Sequence, residues 1–290
     1  MVCENIQEIE SKSAIIGAID NYSIDKILPW VKSIRETNFT GDICLLVYRA
    51  SESVINELKL LGIKLYSCTN DENGNPIIHN QMGRDTVCHQ MRFLHLCTLL
   101  SQSNYKYVIF TDVRDVIFQC NPFPTLVNLL EDKDIIAPSE GILYKNEPWN
   151  QSNVHAAFGN LVNDLQEQDV YNVGTIAGTL RGITELAERI YTLGKNRQIP
   201  NDQAVFNLLI DGNRKLNESI FKELPMHSGW ACQCGTVLDP DKISLVLNES
   251  RPIIIDHEVY TPTMDARKFI ILHQWDRVPS LSEYIKEKYK

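Results

Sequence analysis

The chain has 290 residues, 43% hydrophobic and 22% charged, which suits one large α/β domain or two small ones and excludes a disordered or low-complexity chain. Its 28 Lys and Arg against 37 Asp and Glu give a net charge of −9, which argues against nucleic acid as the main partner. An anionic ligand would need a local cation or a bound metal.

Residues 14–19 form the first apolar run and predict a buried strand. Neither this short run nor any later one has the length of a signal peptide core or a membrane span, so a soluble, cytoplasmic chain is expected. Residues 24–36 place Ile24, Ile27, Leu28, Val31 and Ile34 at helical spacing. Residues 42–48 predict a second strand, rich in Ile, Leu and Val. Ser51 is placed to cap a helix running to Leu61, with Val54, Ile55 and Leu58 on one face, and Gly62 ends it. A third strand is expected at 63–68, an Asn- and Gly-rich loop at 70–83, a longer helix at 85–101 and a fourth strand at 107–111. This alternation is that of a doubly wound parallel sheet, whose ligands bind at the carboxyl ends of the strands. The first strand ends in Asp20-Asn21-Tyr22 and the fourth in Asp112-Val113-Arg114-Asp115. The second half is less regular. Short strands are expected at 134–137, 253–255 and 269–272, helices at 184–192 and 202–210, and residues 154–168 read either way. No repeat or linker interrupts the chain, so one continuous domain over 1–290 is expected.

Asp112 and Asp115 close an apolar strand. In a continuing strand, residues three apart face opposite sides. A turn after Asp112 would let both carboxylates face one point beyond the sheet edge, where hard oxygen ligands suit Mn²⁺ or Mg²⁺. The plainer alternative has Asp112 capping a turn and Asp115 paired with Arg114 or a nearby Lys. Two later apolar runs end in a histidine, at His257 and His273, and either could bring an imidazole to the same ion. Of the eight cysteines only Cys232 and Cys234 are close, and a single C-x-C pair lacks the usual zinc spacing. The sequons at Asn21, Asn38, Asn150, Asn217 and Asn248 are chance matches if the chain has no secretory route.

The run from Tyr107 to Phe123, with Asp112-x-x-Asp115 followed by Val116-Ile117-Phe118 and Asn121-Pro122-Phe123, resembles the metal-binding segment of GT-A glycosyltransferases. It is similar to that of the glycogenin-like group and of the glycosyltransferase domain of collagen lysyl hydroxylases. The segment from Tyr171 through Asn172 and Gly174 to Gly178 resembles the N-x-G segment beside their sugar site. Asp202-Gln203 and Asn207 resemble their D-Q-x-x-x-N helix start, and His273 falls where their late metal-binding His lies. Two departures stand out. Many relatives have D-x-D, and the glycogenin-type Gly and Lys-Pro-Trp after the His are replaced here by Gln274-Trp275-Asp276-Arg277.

The resemblance implies a GT-A fold with a mostly parallel central sheet flanked by helices. Residues 1–120 would be its nucleotide-binding half and 121–290 its sugar and acceptor half. It implies a metal-dependent transferase that moves a sugar from a nucleoside diphosphate, most simply a UDP-sugar, to a hydroxyl on a carbohydrate, protein or glycan. Asp112, Asp115 and His273 would hold Mn²⁺ or Mg²⁺. Asn21 and Tyr22 would meet the base, Asp112 the ribose, and Arg92, Asn172 and Gly174 the donor. Arg277 would replace the missing Lys at the diphosphate, and Asp202 and Gln203 would act at the sugar or acceptor. Each has a structural alternative: an exposed turn for Tyr22, a surface ion pair for Arg92, a helix cap for Asp202 and a tight turn for Asn172 and Gly174. A sugar-1-phosphate nucleotidyltransferase shares this kind of sheet but needs a Gly-rich loop and Arg after the first strand, and Ile16-Gly17-Ala18-Ile19-Asp20-Asn21 has neither. A non-catalytic sugar binder is the other alternative, against which the intact Asp112, Asp115 and His273 set speaks.

Overall fold

The computed structural model describes residues 6–75, 77, 87–198, 200–210, 220–246 and 251–290. After a short α1 (Ile6–Ser11), the apolar run becomes β1 (Ser13–Asp20), buried at every residue. Each fully buried Ile there contributes about 1.5–3 kcal/mol. Then come α2 (Ile24–Glu36), β2 (Asp42–Arg49), α3 (Glu52–Leu60), β3 (Lys64–Ser67), α4 (Arg92–Ser101) and β4 (Tyr107–Thr111). The expected elements of this half form within a residue or two. Ser51 caps α3 by accepting from the Val54 N–H, and Gly62 after it has a φ of 70°. The helix expected at 85–101 is a π-helical turn at Val87–Met91 leading into α4, and its expected start lies outside the described residues. Part of the 70–83 loop does too.

The strands pair in parallel in the order β3-β2-β1-β4, so the order reverses between β1 and β4 and opens a crevice at their carboxyl ends. Beyond β4 the sheet changes character. The chain continues through β5 (Val116–Phe118), α5 (Phe123–Leu130), β6 (Ile135–Leu143), α6 (Pro148–Phe158), β7 (Asp169–Tyr171), β8 (Thr175–Thr179), α7 (Leu180–Gly194), α8 (Asp202–Ile210) and β9 (Phe221–Leu224). β8 lies antiparallel to both β4 and β6, and β7 antiparallel to β6, while β9 joins β6 in parallel. The doubly wound parallel pattern thus holds for the first half only. The expected strand at 134–137 is longer, and the ambiguous 154–168 segment is the end of α6 and a 3₁₀ stretch.

The last part holds β10 (Ala231–Gln233), α9 (Cys234–Val237), β11 (Ile253–Ile255), β12 (Glu258–Tyr260), β13 (Ile271–His273) and α10 (Pro279–Lys288). β10, β13 and β5 make a separate three-stranded sheet, and β11 and β12 a hairpin whose first strand is exposed. The core lies on both faces of the main sheet, with α2 burying Ile27, Trp30, Val31 and Ile34 on one side and α4 and α7 packed on the other. Among the described residues, no helix is long and apolar enough to cross a membrane.

Candidate metal and nucleotide-sugar site

The chain does turn after Asp112. β4 stops at Thr111, whose Oγ1 accepts a hydrogen bond from Trp30 Nε1 at 2.9 Å, and β5 leaves at Val116, with Ser33 Oγ accepting from the Phe118 N–H. The turn passes over β1 at Gly17. A Cβ there would lie 2.3 Å from Val113 Cγ2, so only glycine leaves room for it. On the other side β13 pairs antiparallel with β5, setting His273 opposite Val116, and the Gln274 N–H donates to Asp115 O at 2.7 Å. His273 Nε2 then lies 3.4 Å from Asp112 Oδ2 and 3.9 Å from Asp115 Oδ1. One donor atom from each of the three lies within 4.8 Å of the others.

The donor set fits a divalent ion. Gln233 Oε1 lies 2.7 Å from His273 Nδ1, so Nδ1 carries the proton and donates. Gln233 is itself held by donating from Nε2 to Thr175 Oγ1. In the neutral ring Nε2 therefore turns a lone pair toward two carboxylates, and a cation at that point resolves the repulsion. Burial opposes charge on His273, but Asp112 and Asp115 outweigh it and raise its pKa above the ordinary value. Burial likewise raises Asp115, and the neighbouring Asp112 adds to this against the pull of His273. Asp112 resists its own burial: Arg92 and His273 hold it well below the usual carboxylate range. His257, the alternative imidazole, is exposed on the β11–β12 hairpin and stacks on Tyr284 at 4.1 Å. Cys232 and Cys234 are buried thiols with their sulfurs 3.8 Å apart.

A pH dependence follows. Ligation needs Nε2 without a proton, and the pKa of His273 lies above about 6.5 in the metal-free protein. Mn²⁺ affinity is expected to be constant well above that pKa and to fall about tenfold per pH unit below it. Mn²⁺ titrations followed by electron paramagnetic resonance from mildly acidic to mildly basic pH would show this, and a flat profile would remove His273 from the ligand set.

The other expected residues assemble around this point. Arg92 donates to Asp112 Oδ1 through one guanidinium nitrogen and to Asp202 Oδ2, at 2.7 Å, through the other. The Asp202 side chain is only 4% exposed and lies 3.4 Å from His89, with Oδ1 also accepting from the Gln203 N–H. Burial works against its charge, yet His89 and Arg92 hold its pKa below the ordinary value. So held, Asp202 anchors the start of α8 and is a poor proton acceptor. The Gly174 carbonyl accepts from the Asp112 N–H, and the Gly174 N–H donates to Asn172 Oδ1. Tyr22 and Arg277 line the cavity, whereas Asn21 lies in an exposed turn outside its lining.

Residues not singled out in the sequence complete the site. Buried Glu140 accepts from Asn172 Nδ2, Gln203 Nε2 and Thr236 Oγ1, so it ties three parts of the chain together. Gln203 Nε2 also donates to Asn150 Oδ1 at 2.9 Å. Glu147, Trp149 and Lys242 extend the wall. One signal was available: Glu140, like Asp112, follows an apolar run, and Gln233 ends another. The cavity enclosed by these residues measures about 690 Å³.

No family model matches the chain, and no curated protein matches it in sequence. Solved structures do match in fold. The bifunctional glycosyltransferase WbbM superposes with a TM-score of 0.58 at 16% identity, over 91% of this chain and 45% of WbbM. The galactosyltransferase LgtC, solved with donor and acceptor sugar analogs, superposes with a TM-score of 0.57 at 15% identity, over 94% of each chain. The chain thus spans less than half of WbbM but nearly all of LgtC. At these identities the likeness establishes the fold, which is that of GT-A glycosyltransferases.

Proposed function

We propose that the chain is a metal-dependent glycosyltransferase that uses a nucleoside-diphosphate sugar, most simply a UDP-sugar, and passes the sugar to a hydroxyl. The observation that carries this reading is the meeting of Asp112, Asp115 and His273 at the mouth of the β1–β4 crevice, inside a cavity that also holds Arg92, Asn172 and Gln203. Mn²⁺ or Mg²⁺ held by the three ligands would act as a Lewis acid on the departing diphosphate. The chain's own cations serve the same charge. Arg277 lines the cavity, as does Arg114, which also pairs with Asp115 and Asp276, in a protein otherwise rich in negative charge. Tyr22 offers a ring to the nucleobase. Residues 1–120 are read as the nucleotide half and 121–290 as the sugar and acceptor half. The D-x-x-D spacing, which the collagen lysyl hydroxylase domains share, and the wider resemblance to the glycogenin-like group make these two our reading of its nearer kin.

At the sugar, Gln203 and Asn172 both donate to Glu140, so their amides are fixed before any ligand arrives. Fixed dipoles of this kind stabilise oxocarbenium-like charge without reorganising during the reaction. Asp202 acts one step back, by holding Arg92 and the start of α8.

The test is turnover of a panel of nucleotide sugars with Mn²⁺, with EDTA and with the Asp115→Ala variant. Wild type with Mn²⁺ is expected to hydrolyse or transfer from at least one UDP-sugar, and EDTA to stop it. Asp115→Ala should lose metal-dependent UDP binding by about 100-fold or more while keeping its circular dichroism spectrum. Unchanged nucleotide affinity in that variant would remove Asp115 from the site. Metal-independent cleavage would defeat the reading.

A further inference from the structure

The mechanism leaves one wall of the cavity unused. It is made by the start of α6, where Glu147 caps the helix: Oε2 accepts from the Asn150 N–H at 2.9 Å and from Asn150 Nδ2 at 3.1 Å. Glu147 Oε1 accepts from Lys242 Nζ at 2.8 Å. Glu147 and Asn150 are buried, and Pro148 at the first turn fixes the backbone between them. The backbone at Trp149 is therefore fixed, yet the residue is left 54% exposed on the cavity wall. The chain's other three tryptophans, Trp30, Trp230 and Trp275, are at most 2% exposed.

We propose that Trp149 is the platform of an acceptor subsite that takes the apolar face of a neutral pyranose ring. This rests on the glycosyltransferase reading above. The two ends of the cavity differ in charge. At the metal end Arg92 and Arg114 are already paired with carboxylates, but an ion held by Asp112, Asp115 and His273, with Arg277 on the cavity wall, would suit a diphosphate. At the Trp149 end the charges of Glu147 and Lys242 cancel in an ion pair, and an anionic group would find no free cation among these residues. What remains is a flat aromatic surface edged by an amide and a paired carboxylate and ammonium. That combination matches a sugar ring, which presents C–H groups on its faces and hydroxyls at its rim. The subsite also adjoins the reacting sugar, because Asn150 Oδ1 accepts directly from Gln203 Nε2. A hydroxyl of a ring lying on Trp149 would point toward the donor's sugar.

The arrangement supplies its own probe. Acrylamide quenches exposed tryptophan, and here only Trp149 is exposed, so quenching reports on that ring alone. Wild type saturated with UDP and Mn²⁺ is expected to stay quenchable. Adding methyl β-galactopyranoside, methyl α-glucopyranoside or lactose is expected to protect it with at least one of the three, and a Ser- and Thr-containing peptide is not. Trp149→Ala should raise the KM of the protecting sugar tenfold or more, with a smaller change in donor KM, and Trp149→Phe should recover most of that loss. Three results would overturn the proposal: protection by UDP and Mn²⁺ alone, protection by the peptide, or protection by none of the sugars. Failure of the wider reading looks different, because wild type would then cleave no nucleotide sugar whatever Trp149 does.

Discussion

Replacing Gly174 with alanine is expected to weaken Mn²⁺ binding by about 100-fold, on the scale seen when groups around a metal are displaced, and to lower UDP affinity with it. A Cβ at this position would lie 2.7 Å from Asp112 Oδ2, 2.9 Å from His273 Cε1 and 3.0 Å from Asn172 Oδ1. These are two proposed metal ligands and the acceptor of the Gly174 N–H, and all three are held from behind. Asp112 is tied to Arg92, His273 to Gln233 and Asn172 to Glu140. None has an easy retreat. The backbone at Gly174 lies outside the left-handed region, so alanine adds no conformational strain and the effect is steric. Metal titration of the variant, with thermal unfolding as control, checks this. Wild-type metal affinity in Gly174→Ala would show that Asp112 and His273 are not the ligands.

Arg92→Met is expected to destabilise the metal-free protein by about 3–5 kcal/mol at neutral pH, the cost of leaving buried charge without its partner. Arg92 lies between two carboxylates, with its guanidinium 5.0 Å from the Phe93 ring centre and 5.5 Å from that of Phe110. Methionine keeps the packing and removes the charge. Asp112 is 32% exposed, so water takes part of its cost, whereas buried Asp202 would keep only His89 and the Gln203 N–H. The pH dependence has a definite sign. In wild type both carboxylates have pKa values below their ordinary ones, so their contribution is present above the unfolded value of about 3.9 and is lost as pH falls through the folded values. The gap between variant and wild type should therefore be widest near neutrality and shrink in acid. Adding Asp202→Asn to Arg92→Met should restore part of the stability. Urea unfolding in EDTA at neutral and acid pH measures all of this, and a loss under about 1 kcal/mol, or one independent of pH, would contradict it.

Much of the site's chemistry was legible because it follows local pattern. Apolar runs that end in acidic or imidazole groups pointed to Asp112, Asp115 and either His257 or His273, and the family resemblance implied His273. Glu140 and Gln233 also close apolar runs but carry no motif of their own. Glu140 acts through Asn172, Gln203 and Thr236, which lie far from it in the chain, so no short motif surrounds it. Trp149 was hidden for the opposite reason. A tryptophan is usually core, and its exposure becomes visible only when the helix around it is placed.

The amino-acid sequence alone determined the parallel strands β1 to β4, their helices and the residue types at the strand ends, because burial imposes a period of two or nearly four over a few neighbouring residues. Tertiary structure alone decided that Arg92 is shared between Asp112 and Asp202, that Glu140 joins Asn172, Gln203 and Thr236, and that β8 runs against β4. These depend on strand register and on packing between segments distant in the chain, and no local period records which distant segments come to lie side by side.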